Sequence, residues 1–225
     1  MLQRSLRTPN VKISRDIADQ RREYSIKPLH RRDLNPNPFA QFDAWFNEAL
    51  LAEAMDANAM SIATVSAGGQ PSIRTVLLKY YDEDGFIFYT NLDSRKACEI
   101  NRNDHVALLF YWHELHRQIK IQGKAEPIGA ADNIRYFMRR PRDSQIGAWV
   151  SRQSSIISSR SVLENKFTEM KLKFANGEVP LPSFWGGYRV IPDSIEFWQG
   201  RENRLHDRFK FTVGKSAWDL ARLAP

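Results

Sequence analysis

From Ala59 onward the chain repeats one device, a short run of β-branched and aromatic residues followed by a tight turn. "SIATVS", "SIRTVLLKYY" and "GFIFYTN" are separated by "AGGQP" and "DEDG", both turn signatures. "HVALLFYW" and "RQIKIQGKAEPI" follow around "HEL", and "YRVIPDSIEFWQG", "RFKFTV" and "AWDLARL" close the sequence with "GK" as a turn. Seven or eight strands at hairpin spacing, with few helices between them, predict a mainly β fold. An antiparallel barrel with flanking helices fits this order better than a parallel α/β sheet. Neither GxGxxG after a strand nor a GxxxxGKS/T loop occurs, so the nucleotide-binding α/β folds lack their fingerprints.

Helices are predicted at the margins of this pattern. Asn37 suits an N-cap with Pro38 at the first helical position. Phe39, Phe42, Trp45, Phe46, Ala49 and Leu50 then recur at helical spacing, predicting a helix from Pro38 to about Met55. "DNIRYFMRRP" starts at Asp132 as N-cap and must stop near Arg140, because Pro141 disfavours helix before it. "SVLENKFTEMKLKF" opens with the capping box Ser161–Glu164 and carries the stripe Leu163, Phe167, Met170, Phe174, which reads as core or subunit contact.

The 225 residues carry a formal charge of +7, but unevenly. Residues 1–32 hold nine Lys or Arg against Asp16, Asp19 and Glu23, a net of +6, so the remainder of the chain carries +1. The sequence thus divides into a basic, largely flexible arm over residues 1–36 and one domain over 37–225. Such an arm suits a polyanion, nucleic acid included, or is a solvated tail, which is the plainer reading. No apolar run approaches the roughly 18 residues that span a bilayer, and the N-terminus lacks the apolar core of a secretory signal. Cys98 is the only cysteine, so no intramolecular disulfide forms. These features predict a cytoplasmic protein.

Several cationic stretches could carry chemistry. In "TNLDSRKACEI", Ser94 as N-cap places Arg95 and Lys96 in the first helical turn, where the dipole disfavours cations and favours anions. Either an anion sits there, or both side chains pair with Asp93 or Glu99. In "RTVLLK", alternation sends Arg74, Val76 and Leu78 to one face and Thr75, Leu77 and Lys79 to the other. In "RQIKIQG", Gln118, Lys120 and Gln122 make a polar strand face that lines a polar ring or is simply wet. "RYFMRRPRDSQ" sets Tyr136 and Arg140 four apart on one helical face with Ser144 beyond, a set able to grip a phosphate. "HELH" lacks metalloprotease spacing and reads as a surface turn, not a metal site. Finally, "EFWQGRENRLHDRF" gathers Arg201, Arg204, His206 and Arg208 within eight residues against Glu202 and Asp207. That is a solvated edge, or a strand end that faces an anion.

The last stretch resembles the signature of the pyridoxamine 5′-phosphate oxidases, FMN-dependent enzymes, through Glu196, Trp198, Gln199, Arg204, His206, Asp207 and Arg208. Further family-like blocks are "RREY", "RTVLLK", "FYTN", "SRKA", "RQ", "YFMRRPRDSQIGAWVSRQSS", "VPLPSFWGGYRV" and the terminal "RLAP". The resemblance runs from about Arg21 to Pro225 and leaves residues 1 to about 20 outside it. It implies an FMN-binding split β-barrel, and a homodimer with FMN in clefts between the subunits. The implied FMN contacts are Arg74, Thr75, Val76, Leu77, Leu78 and Lys79 on the "RTVLLK" strand, then Tyr89, Thr90, Arg95 and Lys96. Gln118, Gln153, Ser154, Trp198 and Arg208 complete them. The implied substrate contacts are Lys79, Tyr136, Arg140 and Ser144 at the phosphate. Arg204 and His206 lie over the substrate ring as the catalytic pair, and Arg21 and Tyr24 of "RREY" cover the site.

The resemblance implies oxidation of pyridoxamine and pyridoxine 5′-phosphates to pyridoxal 5′-phosphate, with O2 as electron acceptor and H2O2 released. For the amine, water then releases ammonia. A barrel that binds FMN or a vitamin phosphate without turnover is the alternative, and a nucleic-acid-binding barrel using the basic arm is a third reading.

Overall fold

The computed structural model describes residues 27–225. Within them β1 (Ala59–Val65), β2 (Pro71–Leu77), β3 (Tyr80–Asp82), β4 (Gly85–Asn91) and β5 (His105–Trp112) precede the 11-residue β6 (Arg117–Pro127). The 15-residue β7 (Trp185–Gln199), β8 (Asp207–Val213) and β9 (Trp218–Leu223) follow. Every pairing is antiparallel, and the order is β2-β1-β5-β6-β7-β4-β3, with β8 and β9 added beside β7. The expected run "SIRTVLLKYY" divides into β2 and β3. Leu78 turns into the core at 4% exposure, and Asn58 takes both its N–H and its carbonyl.

β7 splits the barrel. Its first half pairs with β4, from Trp185↔Asn91 to Val190↔Phe86. Its second half pairs with β8, from Ser194↔Thr212 to Gln199↔Asp207. β6 runs along most of its other edge, with a register shift at Gln122/Gly123. A Cβ on Gly123 would lie 2.0 Å from the Ile191 carbonyl oxygen, so only glycine allows this close approach. One face of the sheet is core: Phe110, Ile119, Phe197 and Phe209 are in register and at most 1% exposed.

The helix α1 (Pro38–Leu51) closes that core. Asn37 accepts hydrogen bonds from the N–H groups of Phe39 (2.8 Å) and Ala40 (3.4 Å), as its sequence position predicts. Phe42 is fully buried, edge-on to Phe86 (4.9 Å) and Phe110 (5.2 Å), whereas Leu50 faces outward. The helix stops before Met55 because Glu53 takes a left-handed conformation (φ 51°). Its N–H meets the Leu50 carbonyl and the Ala54 N–H meets that of Ala49, a Schellman closure without the usual glycine.

Four further helices are α2 (Arg95–Ile100), α3 (Ala130–Arg139), α4 (Arg142–Val150) and α5 (Arg160–Lys173). Asp132 lies inside the first turn of α3 rather than capping it, and Gly129 is the N-cap. Helix α3 does end before Pro141, with Arg140 extended (ψ 146°). The capping box at Ser161 does not form: α5 starts at Arg160, whose guanidinium holds Glu164 at 2.8 Å. Met170 and Phe174 of its stripe join Phe137, Ile146, Val179 and Trp185 in a second small core. Residues 27–36, counted with the arm from composition, pack on the barrel through Leu29 and Leu34. No helix among the described residues is long and apolar enough to cross a membrane.

Candidate active site

The edge of β2, the end of β4, α2 and the α3–α4 corner enclose a cavity of about 890 Å³, within the range of roughly 300–1,000 Å³ usual for small-molecule sites. Strand β2 supplies Arg74, Thr75, Val76 and Leu77, and the β2–β3 link supplies Lys79. Tyr89 and Thr90 come from β4, Lys96 from α2, Tyr136, Arg140 and Ser144 from the corner, and Gln153 from the loop after α4. The lining holds Arg74, Lys79, Lys96, Arg139 and Arg140 but no Asp or Glu. A concave surface with that charge selects anions.

Arg140 is poised for one. Its Nη1 is buried and has no hydrogen-bond partner among the described residues, a costly state for a guanidinium unless a ligand supplies the acceptor. Its charge lies over the Trp185 ring at 4.8 Å. Trp185 in turn stacks on Tyr89 (5.2 Å), and Tyr89 on Tyr136 (4.0 Å), so the wall is a rigid aromatic ladder. Burial pushes the Tyr89 phenol up to about 12 and raises that of Tyr136, so both stay protonated donors. The Gln145 amide ties the corner by donating to the carbonyls of Phe137 (3.2 Å), Met138 (3.2 Å) and Arg140 (3.0 Å).

Lys96 is the second poised cation. Its Nζ is held by Gln153 Oε1 (2.6 Å), Thr90 Oγ1 (3.0 Å) and Ser94 Oγ (3.3 Å), all neutral oxygens. Burial, and then the charge of Arg74, push its pKa down to about 8. Arg95, its neighbour, pairs with Glu99 at 2.8 Å. With six residues α2 is short, so the positive field here comes from side chains more than from a helix dipole.

The remaining expected residues fall elsewhere in the same chain. Gln118, Trp198 and Arg208 stand in register across β6, β7 and β8, on the face opposite the core. Arg208 is fixed by buried Glu196 (2.8 Å), which also holds Lys120 (2.7 Å). Burial alone would raise the Glu196 carboxyl, but hydrogen bonds from Arg208 and Lys120 hold it below the usual range. Arg204 lies in the β7–β8 connection with φ 60°, next to Asn203 at 53°. Left-handed backbone at consecutive non-glycine residues is a strained arrangement. His206 packs on Trp198 (4.7 Å) and accepts the Arg201 N–H at Nδ1 (3.0 Å), which places the proton of its neutral ring on Nε2. Burial, and then the Arg204 charge, lower its pKa.

None of Gln118, Trp198, Arg204, His206 and Arg208 lines the main cavity. Arg95 and Ser154 line a neighbouring one of about 860 Å³, with the Arg95 N–H on Ser154 Oγ at 3.3 Å. Leu78 does not line the cavity: its side chain lies in the core, and its N–H and carbonyl are bonded to Asn58. Arg21 and Tyr24 lie outside the described residues. The "HELH" histidines do form the β5–β6 turn. Sequence reasoning missed Trp185, Arg139, Asn91 and Gln145. Of these, Trp185 carried a signal, a large aromatic beside Gly186 and Gly187 where close approach was needed.

This arrangement agrees with comparisons to known proteins. Residues 46–174 match the family model described as pyridoxamine 5′-phosphate oxidase. Residues 185–225 match one described as the pyridoxine 5′-phosphate oxidase C-terminal dimerisation region. A pyridoxine/pyridoxamine 5′-phosphate oxidase of Crocosphaera subtropica is 59% identical over 213 residues, covering 93% of this chain and all of that protein. One from Shewanella woodyi is 57% identical over 210 residues, covering 93% of this chain and 99% of that one. Among solved structures, PhzG of Burkholderia lata, bound to tetrahydrophenazine-1-carboxylic acid, superposes with a TM-score of 0.83 at 28% identity. That match covers 90% of this chain and all of the PhzG chain. The split antiparallel barrel, the acid-free cationic cavity and these matches along nearly the whole sequence lead to one assignment: the chain belongs to the pyridoxamine 5′-phosphate oxidase family.

Proposed function

We infer that this protein oxidises pyridoxine 5′-phosphate and pyridoxamine 5′-phosphate to pyridoxal 5′-phosphate, with FMN as resident cofactor and O2 as electron acceptor. Turnover releases H2O2, and ammonia as well when the amine is the substrate. The observation that carries the reading is the buried, unpartnered Arg140 Nη1 in a cavity with five cationic side chains and no carboxylate. A phosphorylated ligand supplies the acceptor that this nitrogen lacks.

The residues present fit FMN. Arg74, Arg95 and Lys96 would hold its phosphate, and Thr75, Val76, Leu77, Tyr89, Thr90, Gln153 and Ser154 would line its remaining surface. Lys79, Tyr136, Arg140 and Ser144 would grip the substrate phosphate. When bound, FMN supplies the redox chemistry by accepting hydride from the substrate carbon and passing both electrons to O2. The chain's task is to set that carbon in place and to exclude competing geometries. Arg204 orients the substrate ring. His206, neutral with its proton on Nε2, donates to a polar group of the substrate.

None of Gln118, Trp198, Arg204, His206 and Arg208 lines the cavity of its own chain, which is the division expected if a second copy brings them. We therefore assign the protein as a homodimer in which each cavity is completed by the partner's β6–β8 face. The dimerisation-region match over residues 185–225 supports this, since it contains β7, β8 and the Arg204–His206 connection. Residues 37–225 act as one domain together with the packed segment 27–36, the basic arm before it covers the site through Arg21 and Tyr24, and a reducing cytoplasm suits the exposed Cys98 thiol.

Purified protein should be yellow, or turn yellow with FMN, and should release peroxide when given pyridoxamine 5′-phosphate in air. A preparation that cannot take up FMN contradicts the cofactor. One that takes it up without forming peroxide favours a binding protein. Affinity should also depend on pH through Lys96. Phosphate binding favours its protonated form, so affinity is retained below about 8, the pKa of Lys96. Above that it falls, approaching roughly tenfold per pH unit. Fluorescence titration of FMN between neutral and alkaline pH reads this slope, which Lys96→Met should flatten. An unchanged slope in the variant assigns the titration to another group.

A further inference from the structure

Behind the cationic wall sits a buried carboxylate, a charge that would repel an incoming phosphate. Glu99 of α2 is 5% exposed and does not line the cavity. One carboxylate oxygen, Oε1, accepts from Arg95 Nε at 2.8 Å. The other, Oε2, accepts from Thr64 Oγ1 at 2.5 Å and lies 3.4 Å from Arg74 Nη2. Thr64 Oγ1 also accepts from Arg74 Nη1 at 2.5 Å, so β1, β2 and α2 meet at this one carboxylate. The Ile62 carbonyl (3.2 Å) and Ser72 Oγ (2.5 Å) complete the hold on Arg74. Burial would raise the Glu99 carboxyl, yet Thr64, Arg95 and the charge of Arg74 hold it below the usual range.

A negative charge this close to a phosphate site weakens anion binding through space. It also fixes two flexible arginines, one on a strand and one on a helix, before any ligand arrives. We propose that Glu99 is a positioning residue of the cofactor site: it holds Arg74 and Arg95 in the arrangement that receives the FMN phosphate, and this outweighs its own repulsion of the phosphate. The proposal rests on the FMN reading above. Glu196 holds Arg208 and Lys120 on the other face in the same manner, so each part of the site has a buried carboxylate behind its cations.

The two effects have opposite signs, so Glu99→Gln separates them. If repulsion dominates, the neutral variant binds FMN as well as the parent or more tightly. If positioning dominates, FMN dissociation rises by roughly ten- to a hundredfold, the scale on which loss of an outer partner weakens a preformed site. The dissociation constant is read by quenching of FMN fluorescence on apoprotein, and the apoprotein melting temperature is recorded alongside. Glu99→Asp, which keeps the charge, should recover part of the loss. Should Glu99→Gln fail to fold, Thr64→Val removes the hydroxyl that donates to the carboxylate and accepts from Arg74, and should weaken FMN in the same direction by a smaller factor. Binding by Glu99→Gln within twofold of the parent, with only a lower melting temperature, overturns the proposal and leaves Glu99 a purely structural residue. Failure of the parent protein to bind FMN would instead remove the cofactor reading beneath it.

Discussion

Arg204→Met is expected to lower turnover with pyridoxamine 5′-phosphate by roughly 100-fold or more, while FMN content stays at the parental level. The asymmetry follows from where Arg204 sits. It is exposed on the β7–β8 connection, with its backbone held left-handed at φ 60°. The Leu205 N–H on the Glu202 carbonyl (3.1 Å) and the Arg201 N–H on His206 Nδ1 (3.0 Å) fix that connection. The cationic wall assigned to the flavin phosphate is built on β2 and α2 instead. Methionine keeps an unbranched, flexible stem but is shorter and lacks the guanidinium, and because Arg204 is exposed the barrel should not notice. Rapid-quench turnover and the absorbance ratio of bound flavin to protein measure the two quantities separately. Equal loss of both would make Arg204 a cofactor ligand or a structural residue.

Mixed dimers should regain activity that neither parent variant has. Arg140→Met damages the cavity, whereas Arg204→Met damages the face proposed to complete the partner's cavity. In a homodimer of either variant, both sites contain a defect. In a mixed dimer, one site collects both defects and the other none. Co-expression of the two variants with different tags should therefore restore about a quarter of parental activity with random pairing, or about half in purified mixed dimers. If instead each chain built its own site, every site in the mixture would carry a defect and activity would stay at the level of the single variants. The large contrast makes the experiment insensitive to modest losses of stability.

Most of the fold was legible because its determinants are local. The cap at Asn37, the helix stop before Pro141 and the alternation in β5 and β6 depend on residues a few positions apart. The errors mark where distant contacts decide. Leu78 breaks one expected strand into β2 and β3 because the core takes its side chain and Asn58 takes its backbone groups. Ser161 looks like a cap, but Arg160 pairs with Glu164, the acid that the capping box requires. Helix α4 was not expected from the sequence: Ile146, Trp149 and Val150 are its few large apolar residues and make only a weak helical pattern. The cluster Arg201, Arg204, His206, Arg208 was visible as a charge anomaly, and the resemblance named its chemistry. The resemblance also divided it, giving Arg208 to the flavin and Arg204 with His206 to the substrate, but the buried partner of Arg208 was not visible. Arg208 lies on β8 and turns to Glu196, whereas Arg204 and His206 belong to the connection before it. The Arg95–Glu99 pair was legible as an i,i+4 spacing, but the contacts of Glu99 with Thr64 and Arg74 and the stacking of Trp185 on Tyr89 join residues dozens apart, which no spacing rule reports.

The decisive property is whether this chain passes electrons from a phosphorylated B6 vitamer to bound flavin. Anaerobic titration of the FMN-loaded protein with pyridoxamine 5′-phosphate should bleach the flavin absorbance stoichiometrically. Readmitting oxygen should then restore the yellow colour, with release of H2O2 and pyridoxal 5′-phosphate. A flavin spectrum that saturates with ligand but never bleaches would contradict the oxidase and leave a protein that binds both molecules without turnover.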